Sequence, residues 1–187
     1  CLVRRRIGIV LRIIDRDSPQ NRSAGTAQNL DSLKSSHPIE VEVADPGEIS
    51  EIFDSISYAK GGSVNRMLGN WIGNHDMKIG LRSYIKKYAY KTTSTEDLWA
   101  CFEEASGKPV KKVMDTFVKQ TGYPVLIIES RPVSNGVEIH VKQQRFLIDG
   151  STDDQLWSIP IRITTKKHSL LEKELEEYTG HPLFLLT

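Results

Sequence analysis

The sequence predicts an α+β chain in which a helical half precedes an antiparallel β half. Three observations carry that expectation. Apolar residues recur at helical spacing between Leu30 and Gly122, the spacing changes to alternation after Tyr123-Pro124, and Gly or Pro stands where most of the segments should stop. The boundaries that follow are a divergent tail or linker over 1–29, a helical subdomain over 30–122, and a partial β-sandwich over 123–187.

Within the tail, LVRRRIGIVLRIID suits a strand or a short helix, and the polar, turn-rich SPQNRSAGTAQN reads as a flexible linker. Asp45-Pro46-Gly47-Glu48 is a helix start, with a side-chain acceptor, a proline at the first helical position and an acid in the first turn; that helix should reach about Ser55. A second helix opens near Gly62 and carries the stripe Val64, Met67, Leu68, Trp71 and Ile72, until Gly73 stops it. A third begins at Asp76 and repeats the pattern with Met77, Leu81, Tyr84, Ile85 and Tyr88, with Lys86 and Lys87 suiting the negative end of its dipole. Ser94 or Thr95 caps a fourth, with Leu98, Trp99, Phe102 and Ala105 inward and Gly107 as its stop. Pro109 opens a fifth that presents Val110, Val113, Met114 and Phe117 and runs to Gly122.

The β half begins with VLIIE, GVEIHV and LWSIPIRIT, where Val137, Ile139 and Val141 form one alternating face and Ile159, Ile161 and Ile163 another. Asn135-Gly136 marks a hairpin turn. Three strands leave unpaired edges, as expected of the start of a sandwich. The end, HSLLEKELEEYTGHPLFLLT, reads as an acidic helical segment and then an apolar tail without a partner.

With 187 residues, 39% of them hydrophobic, and a net charge of +1, the chain has the composition of a soluble globular protein and no electrostatic case for nucleic acid or an acidic membrane, despite Arg4, Arg5 and Arg6. Ile7–Leu11 is far shorter than the roughly 18 apolar residues that a span requires. Cys1 and Cys101 form no C-x-x-C pair, which fits a reducing compartment.

Local chemistry is sparse. His37, His75, His140, His168 and His181 never pair at i, i+4, so no H-E-x-x-H helix is present, and no Cys/His cluster has zinc spacing. There is no G-x-S-x-G elbow, and Lys60-Gly61-Gly62 lacks phosphate-loop spacing. The carboxylates Glu103, Glu104, Glu174, Glu176 and Glu177 read as solvated faces. What remains is Tyr58, in a short loop ahead of Lys60-Gly61-Gly62 at a helix start. Two readings stand: a phenol donating to a developing oxyanion, or a half-buried tyrosine pinning the junction.

The blocks SSHPIEVEV (Ser35–Val43), EIFDSISYAKGGSVNRML (Glu51–Leu68), TEDLWACFEEASGKPVKKVMDTFVKQTGYPV (Thr95–Val125), QQRFL (Gln143–Leu147) and LWSIPI (Leu156–Ile161) carry a resemblance. From about Leu30 to Ile163 the chain resembles the zinc aminopeptidases of the gluzincin type, and among them the puromycin-sensitive branch. The resemblance implies a chain cut from the helical C-terminal half of a thermolysin-like catalytic domain and a partial sandwich. In that family an H-E-x-x-H helix and a later glutamate hold zinc, a G-A-M-E-N loop holds the substrate's amino terminus, and a tyrosine in S-Y-x-K-G stabilises the oxyanion. Ser57-Tyr58-Ala59-Lys60-Gly61 matches that last block, so the resemblance implies that Tyr58 is catalytic and that Phe53, in the matching FDSISY, lines the substrate cleft.

The family's zinc ligands and catalytic glutamate belong ahead of SSHPIEV and are not found in residues 1–29. The expectation is therefore a fragment of a cytoplasmic, zinc-dependent aminopeptidase acting on peptides, with zinc in the complete enzyme, none bound to this chain, and the chain inactive alone. The alternative is a non-catalytic interaction module or pseudoenzyme that pairs with the missing catalytic half or a full-length relative. Neither reading involves nucleic acid or membrane.

Overall fold

A computed structural model describes residues 27–41, 54, 56–133, 136–163, 171–175 and 184–186. The expected helix after Asp45 and the fate of Cys1, His168 and His181 lie outside them. The architecture is α+β. Residues 27–31 form a helical turn in which Ala27, ahead of Leu30, is buried. A π-helical turn, Ile56–Lys60, leads directly into α1 (Gly61–Ile72), and α2 (Asn74–Tyr88), α3 (Thr95–Ser106) and α4 (Val110–Val118) follow. The strands are β1 (Pro124–Val133), β2 (Gly136–Arg145), β3 (Ile159–Ile163), β4 (Leu171–Leu175) and β5 (Phe184–Leu186).

The helix ends follow local chemistry. Ser94 and Asp97 make a reciprocal capping box at the start of α3, where the Asp97 carboxylate accepts the Ser94 N–H at 2.9 Å. Gly107 closes α3 in the left-handed conformation, at φ 68°. Helix α4 has no side-chain cap at Pro109. Instead Glu103, expected to be solvated, reaches across from α3 and accepts the Lys111 N–H at 2.9 Å.

One core runs through both halves of the chain. Val64, Met67, Leu68 and Ile72 of α1 meet Trp99 and Phe102 of α3 and Val110, Val113, Met114 and Phe117 of α4, and the cluster continues into Ile139, Val141, Trp157, Ile159 and Ile161. Helix α2 departs from the expected inward stripe: Leu81 and Ile85 are exposed, and Gly80 is its buried residue. The reason is steric. A Cβ at Gly80 would lie 2.5 Å from a Phe102 ring carbon, so only the glycine face of α2 lets the two helix backbones approach closely enough to pack.

In the β half, β1, β2 and β5 form one antiparallel sheet in the order β1-β2-β5, and β3 pairs with β4 in a second. Val133 stands opposite Gly136, so Gly136 belongs to the strand ladder; the two residues between them lie outside the described set. Two expectations are corrected. Leu171–Leu175 is a strand paired antiparallel to β3, not a helix, and Phe184–Leu186 pairs with β2 instead of lacking a partner. Helix propensity is a weak prior, and an open strand edge offers a full row of backbone donors and acceptors that overrides it.

Gln143 fastens the loop before β3 in the manner of a backbone ladder: its side chain accepts the Trp157 N–H at 2.9 Å and donates to the Trp157 carbonyl at 3.0 Å. Among the described residues no helix is long and apolar enough to cross a membrane.

Candidate functional site

The stretch around Tyr58, expected to be a short loop, is a helical turn built inward from its flanks. Ile56 and Lys60 are four residues apart and both face the interior, which leaves Tyr58 on the opposite side. Tyr58 is 68% exposed, so it is not a half-buried pin. Lys60 is the pin, at 9% exposure. Gly61 and Gly62, which follow, have open space where a Cβ would stand.

Lys60 points into a polar knot that the sequence reading missed. Its Nζ pairs with the Asp31 carboxylate at 2.9 Å and donates to the carbonyls of Gly122 at 2.9 Å and Gln120 at 3.1 Å. Asp31, 2% exposed, also accepts the Gly122 N–H at 2.8 Å and the Ser36 hydroxyl at 2.7 Å. Both members are thereby charge-paired and hydrogen-bonded, the condition under which buried charges persist. Burial pushes the Lys60 ammonium below the usual lysine value, Asp31 opposes that shift, and nearby Arg145 adds to it.

Arg145 closes the knot from the sheet side, donating to Asp153 and Gln155 at 2.8 Å each and reaching the Leu33 carbonyl at 3.4 Å. Gly122, at φ 81°, sits against the Arg145 chain, where a Cβ would lie 3.1 Å from both Cγ and Cδ. Glycine is thus required there both by conformation and by space.

The entry side of the π-helical turn has its own anchor. Helix α1 has no side-chain cap at Lys60 because the helix continues back through the π turn, and the capping function moves to Asp54. Asp54 Oδ1 accepts the N–H groups of Ile56 at 2.7 Å and Ser57 at 3.2 Å, and its backbone carbonyl accepts from the Tyr58 N–H at 3.3 Å. The other carboxylate oxygen meets His37 Nε2 at 3.1 Å, and His37 Nδ1 lies 2.8 Å from the Pro38 carbonyl. SSHP and FDSISY, distant in sequence, are thereby joined. Phe53 lies outside the described residues. Among the described residues no group of three or more His, Cys, Asp or Glu side chains can hold a metal ion.

The carboxylates give the fold an acid dependence. Burial raises the Asp54 value, but the Ser57 and Ile56 N–H bonds and His37 outweigh it and leave the carboxyl below 3.8; at Asp153 the Gln155 N–H bond and Arg145 do the same against burial. A depressed folded value means stabilisation that is present above the unfolded value and lost as pH falls through the folded one. The urea midpoint of the chain should therefore drop on acidification below about pH 4, and Asp54→Asn, which keeps a capping oxygen without a titrating charge, should flatten that drop. A midpoint constant down to about pH 2 would contradict this assignment.

Residues 13–117, more than half of the chain, match the Peptidase family M1 domain, and the match includes Asp31, Asp54, Tyr58 and Lys60. Among curated proteins the chain is similar to Aminopeptidase M1-B of Oryza sativa subsp. japonica, at 52% identity over 132 residues (71% of this chain, 15% of the relative). It is also similar to Tricorn protease-interacting factor F2 of Thermoplasma volcanium, at 44% over 143 residues (76% and 18%), and to the Puromycin-sensitive aminopeptidase of Caenorhabditis elegans, at 39% over 168 residues (85% and 18%). The chain thus spans 15–18% of the length of these three relatives. With a family match over most of the helical half and relatives this similar, the chain belongs to the M1 family of metallo-aminopeptidases.

Proposed function

We propose that this chain is the oxyanion-side segment of an aminopeptidase catalytic domain, and that Tyr58 is the group that stabilises the tetrahedral oxyanion when amino-terminal residues are hydrolysed from peptides. The observation that carries the reading is the outward presentation of Tyr58 on a π-helical turn whose neighbours Ile56 and Lys60 are buried, within the family match. An outward phenol on a turn gripped from beneath has the form of a preorganised donor, which costs little reorganisation when charge develops on the substrate. Single-turn π segments in helical runs occur frequently at functional sites.

The described residues do not fit a zinc site, so zinc belongs in this reading to other parts of the complete enzyme and no step is routed through it here. Phe53 stays a proposed wall of the substrate cleft. A cytoplasmic location, and inactivity of the chain by itself, complete the proposal.

A second reading, as a binding module, has one observation in its favour: α2 exposes Ile79, Leu81 and Ile85. The two readings separate in a chimera in which residues 30–163 replace the matching segment of rice Aminopeptidase M1-B. The enzymatic reading expects chelator-sensitive hydrolysis of an aminoacyl arylamide within about tenfold of the parent, because about half of the matched residues are identical and volume-conserving core exchanges are tolerated. A folded chimera without turnover would favour the binding module.

A further inference from the structure

We propose that Asp54 and Lys60 are positioning residues for Tyr58, clamping its π-helical turn at either end and so aiming the phenol. This rests on the reading of Tyr58 as oxyanion donor.

The geometry is that of a short arch with two fixed feet. At the entry, Asp54 Oδ1 takes up the first two N–H groups of the turn, at 2.7 and 3.2 Å, and His37 holds the other carboxylate oxygen at 3.1 Å. At the exit, the Lys60 ammonium spans to Asp31 and to the carbonyls of Gln120 and Gly122, groups from the helical turn at 27–31 and the link between α4 and β1. Tyr58 lies between the feet, two positions before Lys60 and four after Asp54. A π turn is a rare backbone state and persists where its surroundings determine it. Here the surroundings are the two clamps. Movement of the turn at either foot would carry the phenol with it, and a displacement of about 1 Å at a donor costs up to about 100-fold in rate.

The clamps are tested on the full 187-residue chain by amide hydrogen exchange in Lys60→Met, Asp54→Ala and Asp54→Asn. The expected result is exchange about 10-fold faster at residues 56–60 in Lys60→Met and Asp54→Ala, unchanged protection in α3 and α4, and recovery in Asp54→Asn, whose amide oxygen still accepts the two N–H bonds. Unchanged exchange at 56–60 in Asp54→Ala overturns the proposal. If Lys60→Met loses protection throughout, Asp54→Ala, at a partly exposed position, still decides.

Catalysis is read in the rice chimera with Asp54→Ala, Tyr58→Phe and both together. Asp54→Ala should lower kcat by about 10–100-fold at nearly constant KM and add little on top of Tyr58→Phe, because the group it aims is gone. Additive losses overturn the positioning role and leave the Tyr58 role intact. An unchanged kcat in Tyr58→Phe overturns the catalytic reading, while hydrogen exchange continues to judge the clamps.

Discussion

Asp31→Ala is expected to lower the stability of the chain by about 3–5 kcal/mol, the range found when one partner of a buried ion pair is removed. The side chain is 2% exposed and serves three donors: the Lys60 ammonium at 2.9 Å, the Gly122 N–H at 2.8 Å and the Ser36 hydroxyl at 2.7 Å. Truncation leaves a buried cation facing, among the described residues, the carbonyls of Gln120 and Gly122, with Arg145 near enough to repel it. The desolvation cost of that cation is then uncompensated, which is why one truncation outweighs the modest net value of any one of the three bonds.

The loss carries a pH signature. Lys60 already sits below 10.5 because of burial, with Asp31 holding it up, so removing Asp31 depresses it further. A depressed lysine value means that the unfolded chain binds more protons between the folded and unfolded values, so stability rises with pH across that window. The deficit of Asp31→Ala should accordingly shrink as pH rises from about 7 toward the ordinary lysine value of 10.5, while wild type changes less. Urea titrations at the two ends of that range measure both effects. A loss of less than about 1 kcal/mol at the lower pH would mean that the pair does not lock the turn.

This knot also shows where sequence reasoning ran out. Helix α4 was legible because its apolar residues fall on one face and the structure buries Val110, Val113, Met114 and Phe117 together, as amphipathic spacing requires. Lys60 carries no such signal. Its inward direction follows from Ile56 four residues earlier, and its partner Asp31 lies in a stretch whose structured part was placed only from Leu30 onward. Charged residues read as exposed unless a partner is visible, and partners distant in sequence are not visible.

Helix α2 failed differently. Of the expected stripe Met77 does pack against the core, but close packing selected the face with Gly80 and left Leu81 and Ile85 exposed, Ile85 at 65%. At Leu171–Leu175 the expected helix gives way to a strand, because pairing to β3 overrides local preference. Asp54 had a legible signal: an Asp directly ahead of a helical run is a cap by type, and it stands four positions before Tyr58. The expectation of an earlier helix reaching Ser55 hid that signal.

Tyr58→Phe should separate catalysis from stability more cleanly than any other substitution in the chain. Removing one preorganised donor to an oxyanion costs about 100–1000-fold in kcat, or about 2.7–4 kcal/mol of transition-state stabilisation. KM should change little, because the bond strengthens only as charge develops on the substrate oxygen. Folding should barely respond: Tyr58 is 68% exposed, phenylalanine keeps the ring, and exposed substitutions of this kind fall within about 0.5 kcal/mol. In the rice chimera the variant is thus expected to bind substrate and melt normally while turning over about 100-fold or more slowly. A core role predicts the reverse pattern, with a lowered melting temperature and proportionate loss of active protein. Equal kcat in Tyr58→Phe and the parent chimera would remove Tyr58 from the reaction and leave the π-helical turn as a structural joint between Asp54 and α1.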